Sequence, residues 1–412
     1  MFLRRRYMRK ILRSYERGDM IVYLDGPRWS GKSTVLQMYA DYCQRHFVPY
    51  RIYNREDAIL PVSFSSLQEF MDFLVTKTHC DFSSSHVLLM NEAQYCSTLW
   101  DHLREYACSW YTLRLLVTWS EYCSIDDVLK FSHYTVYPCD FRESLRYHGY
   151  DLDHLPIDRG YKSIYKDVEK YFIEYLIRGG YPSVMMAGGD MQRQHARTSI
   201  LQTFLYKDVQ HFFRPDQLAA FESVMRALPV HNAQVKNYAQ LALVSGQSVR
   251  FVKSALCFLQ ERGFIYLHPI QGDVIQQKKS EFLTFADIGM FNMMNQAFGS
   301  PLFDKQSILT FVRSECMKVD GFVWCTYHKH NGSSIDIIGE WYGVRIAIIV
   351  DIKWSRTIPR IIQSTVGEWL RDIAIKTTLH DFFHETYAGK DIYRMPPYLI
   401  SRRLYEKYGK SL

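Results

Sequence analysis

Residues 26–34 run Gly-Pro-Arg-Trp-Ser-Gly-Lys-Ser-Thr. The segment fits the spacing G-x-x-x-x-G-K-[ST] in full, and each part of it has a physical reason. Gly26 and Gly31 let the chain curl so that successive backbone N–H groups of Arg28, Trp29, Ser30 and their neighbours converge on an anion, while Pro27 lines the loop without supplying a donor. The helix that follows adds its positive N-terminus. Lys32 is expected to reach the β- and γ-phosphates of a nucleoside triphosphate. Ser33 is expected to ligate Mg²⁺, and Thr34 to touch the α-phosphate. The context agrees, because the apolar run Met20–Asp25 reads as a buried strand and a helical stripe of Val35, Met38, Tyr39 and Tyr42 comes after. The expected ligand is ATP with Mg²⁺.

A loop of this kind needs an acidic residue at the end of a neighbouring strand. Residues 86–90 supply a strand, then Asn91 and Glu92. Asn91 can hydrogen-bond a metal-bound water but carries no charge, whereas Glu92 is placed to polarise an attacking water. A third strand, 112–119, brings Thr118 or Ser120 toward the γ-phosphate. The bland alternative is that Asn91 and Glu92 only finish a strand. The alternation of strands and helices over residues 1–150 implies a parallel sheet with helices on both faces.

The sequence beyond 150 changes character. A polar stretch at 151–160 marks a boundary, and helical periodicity follows over Ile164, Val168, Phe172 and Leu176 until Gly179, Gly180 and Pro182 break it. A further helix is expected at 192–212. Between 222 and 268 lie three helices and a strand, an order that suits a winged helix-turn-helix. Its last helix would bury Val249, Val252, Leu256 and Leu259 and turn Arg250, Lys253 and Ser254 outward, toward DNA. A module that only packs against other domains is the equal alternative. Strands return after the polar linker 271–280. There Asp336 lies in one strand-like run and Asp351-Ile-Lys353 ends another, a pattern similar to a PD-(D/E)xK nuclease core, in which two carboxylates hold Mg²⁺ and a lysine positions water. Asp304 and Glu315 are candidates for one further acid.

Net charge is +7, a mild excess compatible with nucleic acid or an anionic surface without requiring either. Part of it lies in the first thirteen residues, at Arg4, Arg5, Arg6, Arg9, Lys10 and Arg13. No signal-like apolar run follows, and no run of about 18 apolar residues occurs, so neither export nor a spanning helix is expected. The nine cysteines are scattered without a CxxC, which argues against a disulfide framework and a zinc ribbon. A reduced, cytoplasmic protein is expected.

The segments LDGPRWSGKST, LLMNEAQ, LVTWSE, VYPCDFRESL, RGGYP and LYKDV resemble, in order and spacing, a widespread prokaryotic group of AAA+-type ATPases with a C-terminal domain of unknown function. The resemblance covers nearly the whole chain. It implies an ATPase domain, a winged helix and a restriction-endonuclease-like domain. The departures fall at the hydrolytic parts. Asn91-Glu92 stands for Asp-Glu, Thr118-Trp119-Ser120 for Thr-Gly-Ser, and Leu129-Lys130 for a Gly-Arg pair whose arginine would sense the γ-phosphate. Lys130 there would replace a planar fork by a point charge. In the terminal region Ser334 stands where an acid is usual, and Asp351 replaces Glu.

The expected architecture is α/β: a P-loop AAA+-like parallel-sheet domain (1–150), a helical lid (151–220), a winged helix (221–280) and a small α/β restriction-endonuclease-like domain (281–412). The expected function is an ATP-dependent switch with weak hydrolysis whose C-terminal half contacts DNA or a protein partner. A non-catalytic scaffold and a Mg²⁺-dependent nuclease are the alternatives, and the oligomeric state stays open.

Overall fold

The computed structural model describes residues 5–54, 64–78, 86–93, 98–107, 113–120, 130–154, 162–272, 281–295, 304–328, 334–351, 373–377, 382–387 and 390–406. Two compact units result, one of Met1–Cys139 with Glu261–Gly263 and one of Asp140–Gln260 with Phe264–Leu412.

In the first unit the order is α1 (Tyr7–Glu16), β1 (Ile21–Asp25), α2 (Lys32–Arg45), β2 (Tyr50–Asn54), α3 (Leu67–Thr78), β3 (Val87–Asn91), α4 (Leu99–Ala107), β4 (Arg114–Thr118) and β5 (Phe131–Thr135). The strands form one sheet in the order β2-β3-β4-β1-β5, and every neighbouring pair is parallel. Parallel pairing demands crossovers, and the helices supply them on both faces. Strand period then divides each strand between two cores. Val22 and Leu24 join Val35, Leu36 and Tyr39 of α2 and Tyr7, Ile11 and Tyr15 of α1. Ile21 and Tyr23 join Phe70 and Leu74 of α3 and Leu103 and Tyr106 of α4. β1 is consequently buried along its whole length, and its C-terminal end is fixed in space.

In the second unit come α5 (Phe141–Tyr147), α6 (Lys162–Arg178), α7 (Pro182–Met185), α8 (Asp190–Thr203), a π-helical segment Phe204–Val209, α9 (Gln210–Phe212), α10 (Leu218–Ala227), β6 (Gln234–Val235), α11 (Tyr238–Ser245), α12 (Val249–Glu261), β7 (Ile265–Gly272), β8 (Glu281–Phe285), α13 (Ile288–Met294), α14 (Lys305–Met317), β9 (Val323–His328), β10 (Ser334–Trp341), β11 (Val344–Ile349), β12 (Ile373–Thr377), β13 (Phe383–Tyr387), β14 (Lys390–Met395) and α15 (Ile400–Glu406). Its strands form a sheet of order β13-β14-β12-β11-β10-β9-β7-β8-β6. β7 bridges two parts of it. Ile265–Pro269 pair antiparallel with β8, and Ile270–Gly272 continue parallel to β9. One sheet and one core thus run across the expected boundary near 280.

Three quoted motifs acquire structural reasons here. In VYPCDFRESL, Asp140 caps α5 and Glu143 reciprocates. Phe141 N donates to Glu315 Oε2 at 3.0 Å, and its ring packs edge-on to Phe172, Tyr175 and Phe311. In RGGYP, Gly179 ends α6 at φ +75°, and a Cβ there would lie 2.2 Å from Asp287 Oδ1. Asp287 accepts from Gly180 N at 2.7 Å and Met290 N at 3.0 Å. The C-terminal carbonyls of α6 are met by side chains, Leu176 O by Asn292 Nδ2 (2.5 Å) and Ile177 O by Arg197 Nη2 (2.8 Å). A Cβ on Gly289 would stand 2.2 Å from Arg178 O, so two backbones touch at this point. LYKDV coincides with the π-helical segment, which buries Asp208 and exposes Tyr206.

Candidate functional site

β1 delivers the chain to the loop at Asp25, a buried residue. Gly26 follows at φ +129°, with a Cβ position only 2.3 Å from Val136 O, so no side chain fits. Trp29 turns at φ +67° with 45% of its surface exposed. Gly31 is left-handed at φ +99° and caps α2. Behind the loop, Arg5 is buried and donates through Nη1 to Ser30 O and through Nη2 to Tyr137 O, each at 2.6 Å. Burial pushes the Tyr137 phenol well up, so it stays neutral. Lys32 is buried, its Nζ donating to the carbonyls of Gly26 and Pro27 at 2.8 Å each. The ammonium is therefore held at the mouth of the loop, within the ring of backbone groups that the sequence assigns to phosphate.

The sheet order decides what meets the loop. β4 intervenes between β1 and β3, so β3 is not the strand adjacent to β1. Thr118, ending β4, is thereby set between the two motifs. Asn91 Oδ1 accepts from Ser33 Oγ at 3.1 Å and from Thr118 Oγ1 at 2.9 Å. Thr118 Oγ1 also accepts from Glu92 N at 3.0 Å. Glu92 turns at φ +55°, and its Oε1 lies 3.2 Å from Arg28 Nη1 of the loop. Ser30 Oγ and Ser120 Oγ are buried, and neither has a hydrogen-bond partner among the described residues. Ser30, Lys32, Ser33, Asn91, Glu92, Thr118 and Ser120 thus gather at one edge of the sheet, where the strands end. A Mg²⁺ ion fits Ser33 and Asn91 as neutral oxygen donors, and the two orphaned hydroxyls fit a polar ligand.

Lys130 is a correction. Parallel register pairs Ile21 with Phe131 and Asp25 with Thr135, which puts Lys130 beside Met20 at the opposite edge, about 16 Å of strand away from the loop. Its carbonyl accepts from Met20 N at 2.8 Å. It is not a γ-phosphate contact. Arg5 escaped the sequence reading because it lies in a basic run that looks like surface. The signal that could have found it is its place ahead of a buried tyrosine, Tyr7.

In the second unit, α12 turns Arg250 and Lys253 to solvent and buries Val252, Leu256 and Leu259, with Ala255 and Phe258 beside them. Val249 departs from the expected stripe and is 41% exposed, since it opens the helix before the packing begins.

Asp336 of β10 is nearly buried, its Oδ2 accepting from Val350 N at 2.9 Å and its Oδ1 lying 3.5 Å from Lys305 Nζ. Asp351 follows β11, with Oδ2 3.3 Å from Lys376 Nζ. Lys353 lies outside the described residues. Arg313, whose pKa burial lowers to about 9, donates to Thr284 Oγ1, Thr326 Oγ1 and Asp336 O. The two further acids each have another partner: Asp304 caps α14, and Glu315 is buried 2.9 Å from Lys318 Nζ. Among the described residues no group of three or more His, Cys, Asp or Glu could hold a metal ion. No described helix is long and apolar enough to cross a membrane.

A family model described as a domain of unknown function (DUF8612) matches residues 169–300, nearly all of them in the second unit. The chain is similar to an uncharacterized protein of Haemophilus influenzae, 22% identical over 255 residues, which are 59% of this chain and 59% of that protein. The chain thus spans about three fifths of that relative's length. Among solved structures it is similar to a Walker-type ATPase of Pyrococcus abyssi, at 15% identity and a TM-score of 0.43, covering 72% of this chain and 96% of that one. It is also similar to a signal-transduction ATPase (STAND) with a tetratricopeptide-repeat sensor from Pyrococcus horikoshii, at 9% identity and TM-score 0.26, covering 75% and 45%. AMPPCP-bound DnaA of Aquifex aeolicus follows at 10% identity and TM-score 0.24, covering 63% and 90%. Likeness at this level leaves the site to be argued from its own geometry.

Proposed function

We propose that the chain binds ATP with Mg²⁺ in the loop 26–34 and acts as a nucleotide-dependent switch with weak hydrolysis. The observation that carries this reading is the meeting of three strand ends: Lys32 at the loop mouth, and Ser33, Asn91 and Thr118 joined through one amide oxygen. Ser33 and Asn91 would hold the ion, which would neutralise charge on the phosphates. Glu92 is the base, kept beside Arg28 in this structure. Hydrolysis is weak because Asn91 adds no charge where positioning and electrostatics carry most of the catalysis.

In the second unit the order α10, β6, α11, α12, β7, β8, with β8 pairing both β6 and β7, supports the winged-helix reading. The exposed Arg250 and Lys253 support DNA as its partner. The run β9–β10–β11–β12, with Asp336 and Asp351 at neighbouring strand ends, supports a nuclease-like scaffold. Lysines beside both carboxylates favour a retained scaffold over cleavage.

The test is calorimetric. Lys32→Ala removes a charge-assisted contact worth roughly 1.5–3 kcal/mol. ATP affinity in Mg²⁺ should fall about tenfold or more, and equal affinity of the two proteins overturns the reading.

A further inference from the structure

We propose that the outward face of α1 binds the phosphate backbone of a nucleic-acid duplex, independently of α12. Arg6 and Arg17 flank α1 as its caps, with Arg9, Lys10 and Arg13 between them. At about 100° per residue these five cations fall in an arc about 100° wide. Tyr7, Ile11, Ser14 and Tyr15 occupy the opposite side and are buried. From Arg6 to Arg17 the row is about 16 Å long, the axial rise of about five nucleotides along one strand.

The row is partly held in place. Arg6 and Lys10 each lie 5.4 Å from the centre of the Tyr7 ring, and Lys10 lies 5.3 Å from that of Tyr134. Arg17 donates to Ser14 Oγ, Ser132 Oγ and Asp19 Oδ2 at 3.3, 3.1 and 3.4 Å. Side chains fixed beforehand lose less entropy on binding. Arg9 and Arg13 are exposed, and among the described residues neither has an acidic partner. Glu16, at the end of the helix, is the one acid within α1.

The chemistry favours nucleic acid over a lipid surface. A helix that lies in a membrane interface inserts its apolar side, and that side of α1 is committed to the core. Tyr7 OH donates to Thr135 O and Tyr15 OH to Leu115 O, each at 2.9 Å, fastening both ends of the helix to the sheet. What remains outward is charge on a rigid rod, which suits a regular line of phosphates.

The test measures anisotropy of a short fluorescein-labelled duplex between roughly 50 and 200 mM salt. Arg9→Ala with Arg13→Ala should weaken binding about tenfold and make the salt slope shallower by about two units. The same loss should occur in a background of Arg250→Ala with Lys253→Ala, which separates this surface from α12. Arg9→Lys with Arg13→Lys should keep the slope. An unchanged slope in the alanine pair, or no duplex binding by the wild type at the lowest salt, overturns the proposal. So does an alanine pair that keeps duplex affinity but loses sedimentation with phosphatidylserine vesicles, which assigns the face to membranes.

Discussion

Asn91 Oδ1 accepts two hydroxyl hydrogen bonds, from Ser33 and Thr118. An amide in that place offers a neutral oxygen where a carboxylate would offer a charge to a cation and its waters. Asn91→Asp should therefore raise ATP turnover by tenfold or more, about 1.4 kcal/mol of barrier. Glu92→Gln in that background should abolish the gain if Glu92 serves as the proposed base. Steady-state phosphate release at saturating ATP measures all three proteins. Wild-type turnover of about 1 s⁻¹ or faster, or slowing by Asn91→Asp, would contradict the account. The loop itself was legible in the sequence because its requirements are local: glycines where the chain must turn left-handed, lysine and serine at the helix start. The Asn91–Thr118 hydrogen bond was not, because it depends on β4 lying between β1 and β3, and strand order is a property of the whole sheet. Lys130 was misplaced for the same reason, since only the register with β1 says which edge it occupies.

At the scale of elements, the close approach of α6 to α13 makes a sharp demand on two glycines. Gly289→Ala would drive a Cβ against Arg178 O, a backbone atom that cannot rotate away. Overpacking of this kind costs about 1–3 kcal/mol. Gly189→Ala is the control, because nothing lies within 4 Å of its Cβ position. Thermal unfolding should show the first variant melting several degrees lower, at about 2–4 °C per kcal/mol, with the second unchanged. Equal midpoints would mean that the two backbones part easily. The sequence marked Gly179, Gly180 and Pro182 as helix breakers and as part of the RGGYP segment, without a structural reason for either. Their partner Asp287 is more than a hundred residues away, in a stretch with no motif of its own, so the reason for the break was out of reach. The helix periods of α6 and α12 were legible nonetheless, because burial of Val168, Phe172 and Leu176, and of Val252, Leu256 and Leu259, follows the turn of the helix directly.

For the whole molecule, a switch must couple its sites. If ATP alters duplex affinity, the duplex must alter ATP affinity by the same factor, commonly about 5–150-fold. Anisotropy with and without ATP and Mg²⁺, together with calorimetry of ATP with and without duplex, measures both arms. Agreement of the two factors above about fivefold supports a switch. Affinities that do not change leave the chain a static scaffold. The sequence showed the alternation that makes a parallel sheet but divided the rest by polar stretches. It could not show that β7 belongs to two sheets' worth of partners, since its residues Ile265–Gly272 look like one ordinary strand. Arg5 gives the first unit a mechanical property. One guanidinium grips Ser30 O in the loop and Tyr137 O after β5, and it sits two residues ahead of Tyr7, the start of α1. Helix and loop are thus geared together: any shift of Ser30 O must either slip from the guanidinium or pull on the end of a stiff lever.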